Sequence, residues 1–187
     1  MTVKDIVKTS AQLLNRKDIF EYLLKGVAQN YLMVEDDVNI LVNAYNIVQE
    51  EIASFSFRFK AVETISPLTN GVIKYSQFKY NPLAIISVKD ENGRKLDAKI
   101  LPSDILVDRT AVIEYYYLPY EKTIEDESDF TGTVIQKRTL AYGVVTEYCL
   151  IKGAYEEASM WHDKYVNALK EALYNTKAKR VKGRLWV

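Results

Sequence analysis

The fold of this chain is decided by one stretch, Leu140-Ala-Tyr-Gly-Val-Val-Thr-Glu-Tyr-Cys-Leu-Ile-Lys-Gly-Ala-Tyr-Glu-Glu-Ala-Ser-Met-Trp-His-Asp-Lys-Tyr-Val-Asn-Ala-Leu-Lys170. Apolar residues recur there at helical spacing and predict one face of a first helix: Ala141, Val144, Tyr148 and Ile151. A second set predicts the matching face of the next helix: Ala158, Trp161, Tyr165, Ala168 and Ala172. About one glycine, Gly153, separates the helices, so they are expected to fold back as an antiparallel hairpin. The residues predicted to pack this hairpin are Tyr148, Gly153, Trp161 and Tyr165.

The N-terminal part of the sequence also predicts helices. Thr2 with Asp5 forms a capping-box pattern for a helix to about Leu14. Asp18 repeats the capping pattern for a short helix that ends at Gly26. A third helix is expected from the acids at 35–37, and it carries a long apolar stripe. The stripe consists of Val38, Leu41, Tyr45, Val48, Ile52 and Phe55.

The middle of the chain has strand character and carries all four prolines. Residues 57–61 alternate, 111–118 form the strongest strand pattern, and Val72 to Tyr75 form a weaker one. The runs 85–88 and 96–100 flank an Asn-Gly turn signal, which predicts a β-hairpin. We therefore expect an α+β fold in which residues 1–56 and 133–175 form a helical bundle. A small antiparallel sheet or sandwich at 57–132 is its insert, and 176–187 is a basic tail.

Composition narrows the class of protein. Among 187 residues, 25 basic and 25 acidic side chains cancel, which gives no support for a nucleic-acid binder. Fourteen tyrosines against six phenylalanines favour half-buried surfaces and interfaces. One cysteine excludes an internal disulfide. Because the first residues lack the apolar run of a signal peptide and no membrane-spanning run occurs, we expect a cytoplasmic chain without a membrane partner.

Single residues that could carry chemistry favour structural interpretations. His162 is the only histidine, and a solvent-facing or interfacial role is favoured over general base or metal ligand. Cys149 lies mid-helix between Tyr148 and Leu150, where packing is favoured over a nucleophilic role.

The acidic run 126–129 could offer oxygen ligands to calcium or magnesium, but a solvated loop is the favoured interpretation. The sequence contains no glycine-rich phosphate loop and no Cys/His set with zinc spacing. We therefore predict no catalytic residue, no cofactor and no metal site, and a protein that is not an enzyme.

The C-terminal tail carries an apolar end on a cationic spacer. A frayed terminus is one interpretation. The favoured one is docking, because burial of a large amphipathic side chain stabilises an interface. The residues predicted to dock are Arg180, Lys182, Arg184, Leu185 and Trp186.

The run from Ala141 to Tyr165, with the closing Lys182-Gly-Arg-Leu-Trp-Val187, resembles the C-terminal part of tailed-bacteriophage head–tail connector proteins, also called adaptor or neck proteins, of the tail-tubular-A-like group. The resemblance covers most of the chain, as helices, a β insert, a helical hairpin and a tail.

This resemblance implies a virion structural protein of the neck, assembled in the host cytoplasm. In that family the protein forms a ring, typically twelvefold, beneath the portal protein. The ring extends the DNA channel, through which DNA passes without specific binding, and it provides the attachment site for a tail or stopper protein. The C-terminal residues named above would then dock on the portal.

A second interpretation is a soluble helical-hairpin module that binds a peptide or a cellular protein. An enzyme would need acid–base chemistry from Asp, Glu or Tyr alone, and no paired-carboxylate spacing is visible in the sequence.

Overall fold

The structure is a computed structural model that describes residues 1–26, 31–68 and 70–174. The described residues combine helices with two small antiparallel sheets, which confirms the α+β class. The helices are α1 (Val3–Leu13), α2 (Lys17–Lys25), α3 (Tyr31–Glu51), α4 (Lys137–Ile151) and α5 (Tyr155–Tyr174). The strands are β1 (Phe59–Ile65), β2 (Val72–Lys74), β3 (Asn81–Lys89), β4 (Lys99–Ile100), β5 (Asp104–Leu106) and β6 (Ala111–Leu118).

The chain divides into two compact units. The helical unit comprises Met1–Val48 and the described part of Lys122–Val187, and the β unit comprises Gln49–Glu121. These divisions lie nearer the N-terminus than the boundaries expected from the sequence, 56/57 and 132/133. The second division lies earlier because the segment after Lys122 hydrogen-bonds to the first helix. No described helix is long and apolar enough to cross a membrane.

Helix α1 begins with the predicted capping box. The Thr2 hydroxyl accepts a hydrogen bond from the Asp5 N–H at 3.2 Å, and the Asp5 carboxylate accepts one from the Thr2 N–H at 3.1 Å. The next two N–H groups, of Val3 and Lys4, donate to the carbonyls of Asp126 and Ile124 at 2.9 and 3.1 Å. The start of α1 is therefore satisfied both by its own side chains and by a segment that follows the β unit.

The apolar face of α1 packs against α4. Fully buried residues come from both helices, and the Ser10 hydroxyl donates to the Ile6 carbonyl at 3.0 Å. The fully buried apolar residues of α1 are Val3, Ile6, Val7 and Ala11, and those of α4 are Leu140, Ala141, Val144 and Val145. Burial of this many aliphatic side chains supplies the helical unit with its core.

The starts of α2 and α3 differ from the prediction. Arg16, not Asp18, is the residue before α2, and Asp18 lies in its first turn, where its carboxylate accepts from the Arg16 guanidinium. Gly26 ends α2 with a φ of 69°, as predicted. The described part of α3 already begins at Tyr31, so the acids at 35–37 lie inside the helix.

The predicted stripe of α3 is buried except at its end. Phe55 is 83% exposed, whereas Ile52, one turn earlier, is fully buried. The cause is a π-helical turn at Ile52–Ser56, which widens the helix and rotates the following residues out of phase with the stripe.

In the β unit, β6 is the central strand. It pairs antiparallel with β1 on one side and with β3 on the other, while β5 lies between β2 and β4 in the second sheet. The inner faces of both sheets share one hydrophobic cluster. Its fully buried members are Ile73, Ile105, Ala111, Ile113 and Tyr115. The alternating burial of β6 places its odd-numbered residues 111–115 in this core.

The predicted hairpin around the Asn-Gly signal forms only beside the turn, where the Leu96 N–H donates to the Val88 carbonyl at 3.1 Å and the Asp90 N–H donates to the Arg94 carbonyl at 2.8 Å. The turn forms, with the Gly93 N–H donating to the Asp90 carbonyl at 2.9 Å and a φ of 80° at Gly93. Beyond one bridge between Lys89 and Lys95, however, the two flanking strands join different sheets. β3 pairs with β6, which has a longer apolar pattern, and β4 pairs with β5.

Candidate interaction surfaces

The predicted docking residues of the tail lie outside the described part of the chain. They are Arg180, Lys182, Arg184, Leu185 and Trp186. The hairpin from which the tail continues is described throughout.

The turn of the hairpin is a Schellman motif centred on Gly153. Its N–H donates to the Leu150 carbonyl at 3.1 Å, and the Ala154 N–H donates to the Cys149 carbonyl at 2.8 Å. Gly153 adopts a φ of 76°, the left-handed conformation that this motif requires and that glycine adopts without strain. The motif ends α4 and allows α5 to begin at once in the reverse direction.

Tyr165 and Gly143 bring α5 and α4 together. Tyr165 is 2% exposed, and its ring lies 3.1 Å from the position that a Cβ atom on Gly143 would occupy. The methyl groups of Val48 lie 2.9 and 3.0 Å from the same position. Three helices therefore meet at a point where only a residue without a side chain fits.

Trp161 lies on the surface of the hairpin. Its ring stacks on Tyr142 with a centroid distance of 5.7 Å, and the Lys164 ammonium lies 4.0 Å from the Trp161 centroid. On the other side, the Arg138 guanidinium lies 5.5 Å from the Tyr142 centroid. Trp161 thus joins α5 to α4 through a half-buried aromatic pair with a cation at each end.

Tyr148 makes its polar contact outside the hairpin. Its hydroxyl accepts from the Arg16 guanidinium at 2.9 Å. The same guanidinium bonds the Asp37 carboxylate at 2.6 Å, and Lys152 bonds the other Asp37 oxygen at 2.7 Å. This cluster, which we call the Asp37 network, joins α3 to residues just before α2 and just after α4.

The charges of the Asp37 network stabilise one another. Burial of Asp37 opposes its ionisation, but hydrogen bonds from Lys152 and Arg16 outweigh this effect and hold the pKa of its carboxyl below the ordinary value. Burial and the nearby Asp37 charge raise the pKa of Tyr148 to about 12. The carboxylate is therefore ionised and the phenol neutral at neutral pH.

The end of the hairpin exposes apolar side chains. Tyr155 is 70% exposed, Ile151 51% and Leu150 43%, and we call these three residues the tip surface. Exposure of Ile151 corrects its predicted place on the packed face of α4, because it lies in the last helical turn beside the reversal. Glu156 and Glu157 follow at once in the first turn of α5 and are exposed. Sequence reasoning missed this surface, although three large apolar residues beside the helix break were its available signal.

A groove lies at the other end of the hairpin. It has a volume of about 500 Å³ and is formed by the start of α4, the preceding loop and the last turns of α5. Its lining includes Val134, Arg138, Tyr142, Ala168 and Glu171. We call it the end groove.

The other single residues assessed from the sequence have ordinary environments. His162 is exposed, with its ring 6.4 Å from that of Tyr165. Cys149 is 2% exposed, and burial raises the pKa of its thiol, which disfavours the reactive thiolate.

The acidic run is anchored to the helical unit. The Asp126 carboxylate accepts from the Thr123 N–H and hydroxyl, and the backbone hydrogen bond lowers its pKa. Ser128 is buried and accepts from the Tyr45 hydroxyl at 2.8 Å, while Asp129 pairs with Lys122. Among residues 1–26, 31–68 and 70–174, no three His, Cys, Asp or Glu side chains form a group that could hold a metal ion.

No protein-family model matches the chain, and none of the curated proteins matches it either.

Proposed function

We propose that this chain is a head–tail adaptor of a tailed bacteriophage, a structural protein that forms a ring beneath the portal. In this role it extends the DNA channel without binding DNA specifically, and it presents the attachment site for a tail or stopper protein. The proposal rests on the sequence resemblance in the C-terminal hairpin and tail.

The structural observation that supports the proposal is the discontinuous layout. Segments from both sides of the β unit build the helical unit, and the hairpin α4–α5 closes it immediately before the tail. This is the order of parts to which the resemblance refers. The finer arrangement belongs to the same proposal: α1 contacts both α2 and α4, and α4 contacts α5, as expected if the terminal helices form one bundle.

The tip surface supports a role in assembly. A cluster of large apolar side chains in solvent is unfavourable unless a partner covers it. An assembly protein needs such surfaces at its contacts with neighbouring subunits.

The test is binding to portal-containing heads. The full chain is expected to co-sediment with heads that carry the cognate portal, and a chain truncated after Tyr174 is expected to lose this binding. A matched control keeps the full length and exchanges the exposed Lys95 for Glu, far along the sequence from the tail. Truncated protein that binds heads as well as the full chain does would exclude the predicted docking role of the tail.

The tip surface also favours the second candidate, a hairpin module that binds another protein. That candidate predicts a stable monomer with no affinity for any portal, so absence of binding by the full chain would contradict the adaptor role and favour the module.

A further inference from the structure

We propose that the end groove is a binding site for a phosphate group, either free in solution or carried by a small phosphomonoester. This site goes beyond the adaptor role and does not depend on it. Three features of the groove support it: a buried hydroxyl without a partner, free backbone N–H groups at a helix start, and an apolar side.

The Thr139 hydroxyl is an exception among the buried polar side chains. Thr139 lines the end groove and is 5% exposed, yet its hydroxyl makes no hydrogen bond with any other described residue. The other buried polar side chains of the described residues all form hydrogen bonds, and they are Ser10, Asp37, Gln49, Ser128 and Thr146. Because a buried hydroxyl without a partner is unfavourable, we expect a polar group that this chain does not supply to meet it in the groove.

The start of α4 offers further donors in the same place. Gln136 precedes the helix, and its side chain does not cap it. The N–H groups of Lys137, Arg138 and Thr139 lie in the first turn, where a helix has no acceptors for them, and they bond no other described residue. Free N–H groups at a helix start, together with the helix dipole, favour an anion.

The side chains of the lining contribute one positive and one negative charge. Arg138 and Glu171 are the charged residues of the lining, and both are exposed. Since these charges cancel, the backbone N–H groups and the Thr139 hydroxyl supply the preference for an anion. The Arg138 guanidinium adds donors that suit a phosphate, whereas Glu171 opposes binding.

The number of donors favours a phosphate over a carboxylate. The first turn of α4 supplies three N–H groups and the Thr139 hydroxyl, and Arg138 adds its guanidinium. A carboxylate has only two oxygens to accept from them, whereas a phosphate group on a side chain presents three strong acceptor oxygens. A phosphate therefore satisfies more of these donors at once.

The other side of the groove is apolar. It is lined by Val134, Tyr142, Ala168 and Ala172. The volume of about 500 Å³ lies within the range of small-molecule sites, so the groove has room for an organic group beside the phosphate. An aromatic group on the ligand would pack against the Tyr142 ring.

The experiment follows the backbone amide signals of the nitrogen-15-labelled full chain during titration with inorganic phosphate. Binding is expected to shift the signals of Arg138 and Thr139 until they saturate. Sodium chloride at the same ionic strength is the control for charge screening, and acetate, a carboxylate, is expected to bind more weakly. Phenyl phosphate distinguishes the two sources of phosphate: tighter binding than inorganic phosphate assigns a phosphomonoester, and equal binding assigns free phosphate.

Three variants then test the role of the groove. Thr139→Val keeps the side-chain shape and is expected to weaken phosphate binding about tenfold, without lowering the melting temperature, because no hydrogen bond within the protein is lost. Thr146→Val is the matched control on α4, since its hydroxyl donates to the Tyr142 carbonyl at 2.9 Å, and it should leave phosphate binding unchanged. Glu171→Gln is expected to strengthen binding, because it removes the acid of the lining.

Signals of Arg138 and Thr139 that do not shift, or that sodium chloride shifts equally, would overturn the inference, because water alone would then meet the Thr139 hydroxyl. Equal phosphate binding by Thr139→Val and the unchanged protein would also overturn it. Tighter binding of acetate than of phosphate would contradict the class of ligand. The assay with portal-containing heads depends on the tail and not on this groove, so failure of either proposal leaves the other standing.

Discussion

At the scale of single residues, Gly143 sets how closely three helices approach. It lies in the middle of α4, where glycine disfavours a helix by about 1 kcal/mol relative to alanine. Val48 and Tyr165 occupy the space beside its Cα, so a residue with a side chain would not fit there. A residue that local propensity disfavours is here required by packing.

We expect Gly143→Ala to destabilise the protein despite its better helix propensity. A Cβ atom would lie 2.9 Å from a Val48 methyl and 3.1 Å from the Tyr165 ring, and overpacking of this kind costs about 1–3 kcal/mol. The net loss is expected to be about 1 kcal/mol, which lowers the melting temperature by about 2–4 °C. Ser159→Ala, at an exposed position of α5, is the control and should not lower it. A higher melting temperature for Gly143→Ala would show that the helices separate at no cost.

At the scale of elements, the Asp37 network fixes the end of α4 to the N-terminal helices. Asp37 is 7% exposed and carries hydrogen bonds from Arg16 and Lys152. Removing one partner of such a cluster costs more than the pairing itself contributes, because the remaining charges stay partly desolvated. The network therefore stabilises the contact of α3 with the end of α4.

We expect Asp37→Asn to cost about 2 kcal/mol of unfolding free energy at pH 7, because charged hydrogen bonds are lost. The folded-state pKa of Asp37 lies below its ordinary value of 3.8, so its contribution is complete above that value. It is lost as pH falls through the lower, folded-state value. The difference between the two proteins should therefore shrink on acidification, as measured by denaturant unfolding at several pH values. Asp36→Asn, on the exposed side of α3, is the control, and an equal effect of both substitutions would contradict the role of the network.

Local sequence signals predicted where helices begin and end better than they predicted which strands pair. The capping box of α1 and the glycine ends of α2 and α4 were predictable because each depends on residues within one turn. The partner of β3 was not, because the turn at Asp90–Gly93 specifies a reversal but not the sheet that the next strand joins.

The same limit applies to the candidate surfaces. Periodicity predicted Tyr165 and Ala158 as packed residues, and both are buried. It also predicted that Ile151 and Phe55 lie on packed faces, but both side chains are exposed. Ile151 lies at the end of a helix, and Phe55 lies in a π-helical turn that rotates it away from the apolar stripe. Of these two residues, only Ile151 belongs to the tip surface, and its exposure could not be predicted from the periodicity alone.

At the scale of the whole molecule, the chain leaves the helical unit and returns to it at neighbouring positions. The Asn46 amide donates to the Lys122 carbonyl at 3.0 Å and accepts from the Lys122 N–H at 2.8 Å. Val48 and Lys122, the residues that border the β unit in sequence, are thus held close within the helical unit.

We expect the helical unit to fold without the β unit. Replacing Gln49–Glu121 by a short Gly/Ser linker should leave a helical protein with a cooperative thermal transition, measured by circular dichroism. Adding Asn46→Ala should lower its melting temperature, because two hydrogen bonds at the junction are lost. A deletion protein without a cooperative transition would show that the helical unit needs the β unit to fold.

The pairing of the first helix with the last third of the chain has a consequence for synthesis on the ribosome. Helix α1 is made long before its partners, because the carbonyls that receive its first N–H groups belong to Ile124 and Asp126, and its apolar face packs on α4. Strands β1 and β3 likewise cannot pair until β6, which follows both in sequence, has been made. Neither unit can close while the chain is half made, so an amphipathic helix stays uncovered through most of translation. Such a nascent chain is a natural client for chaperones that shield apolar segments until α4 has been made.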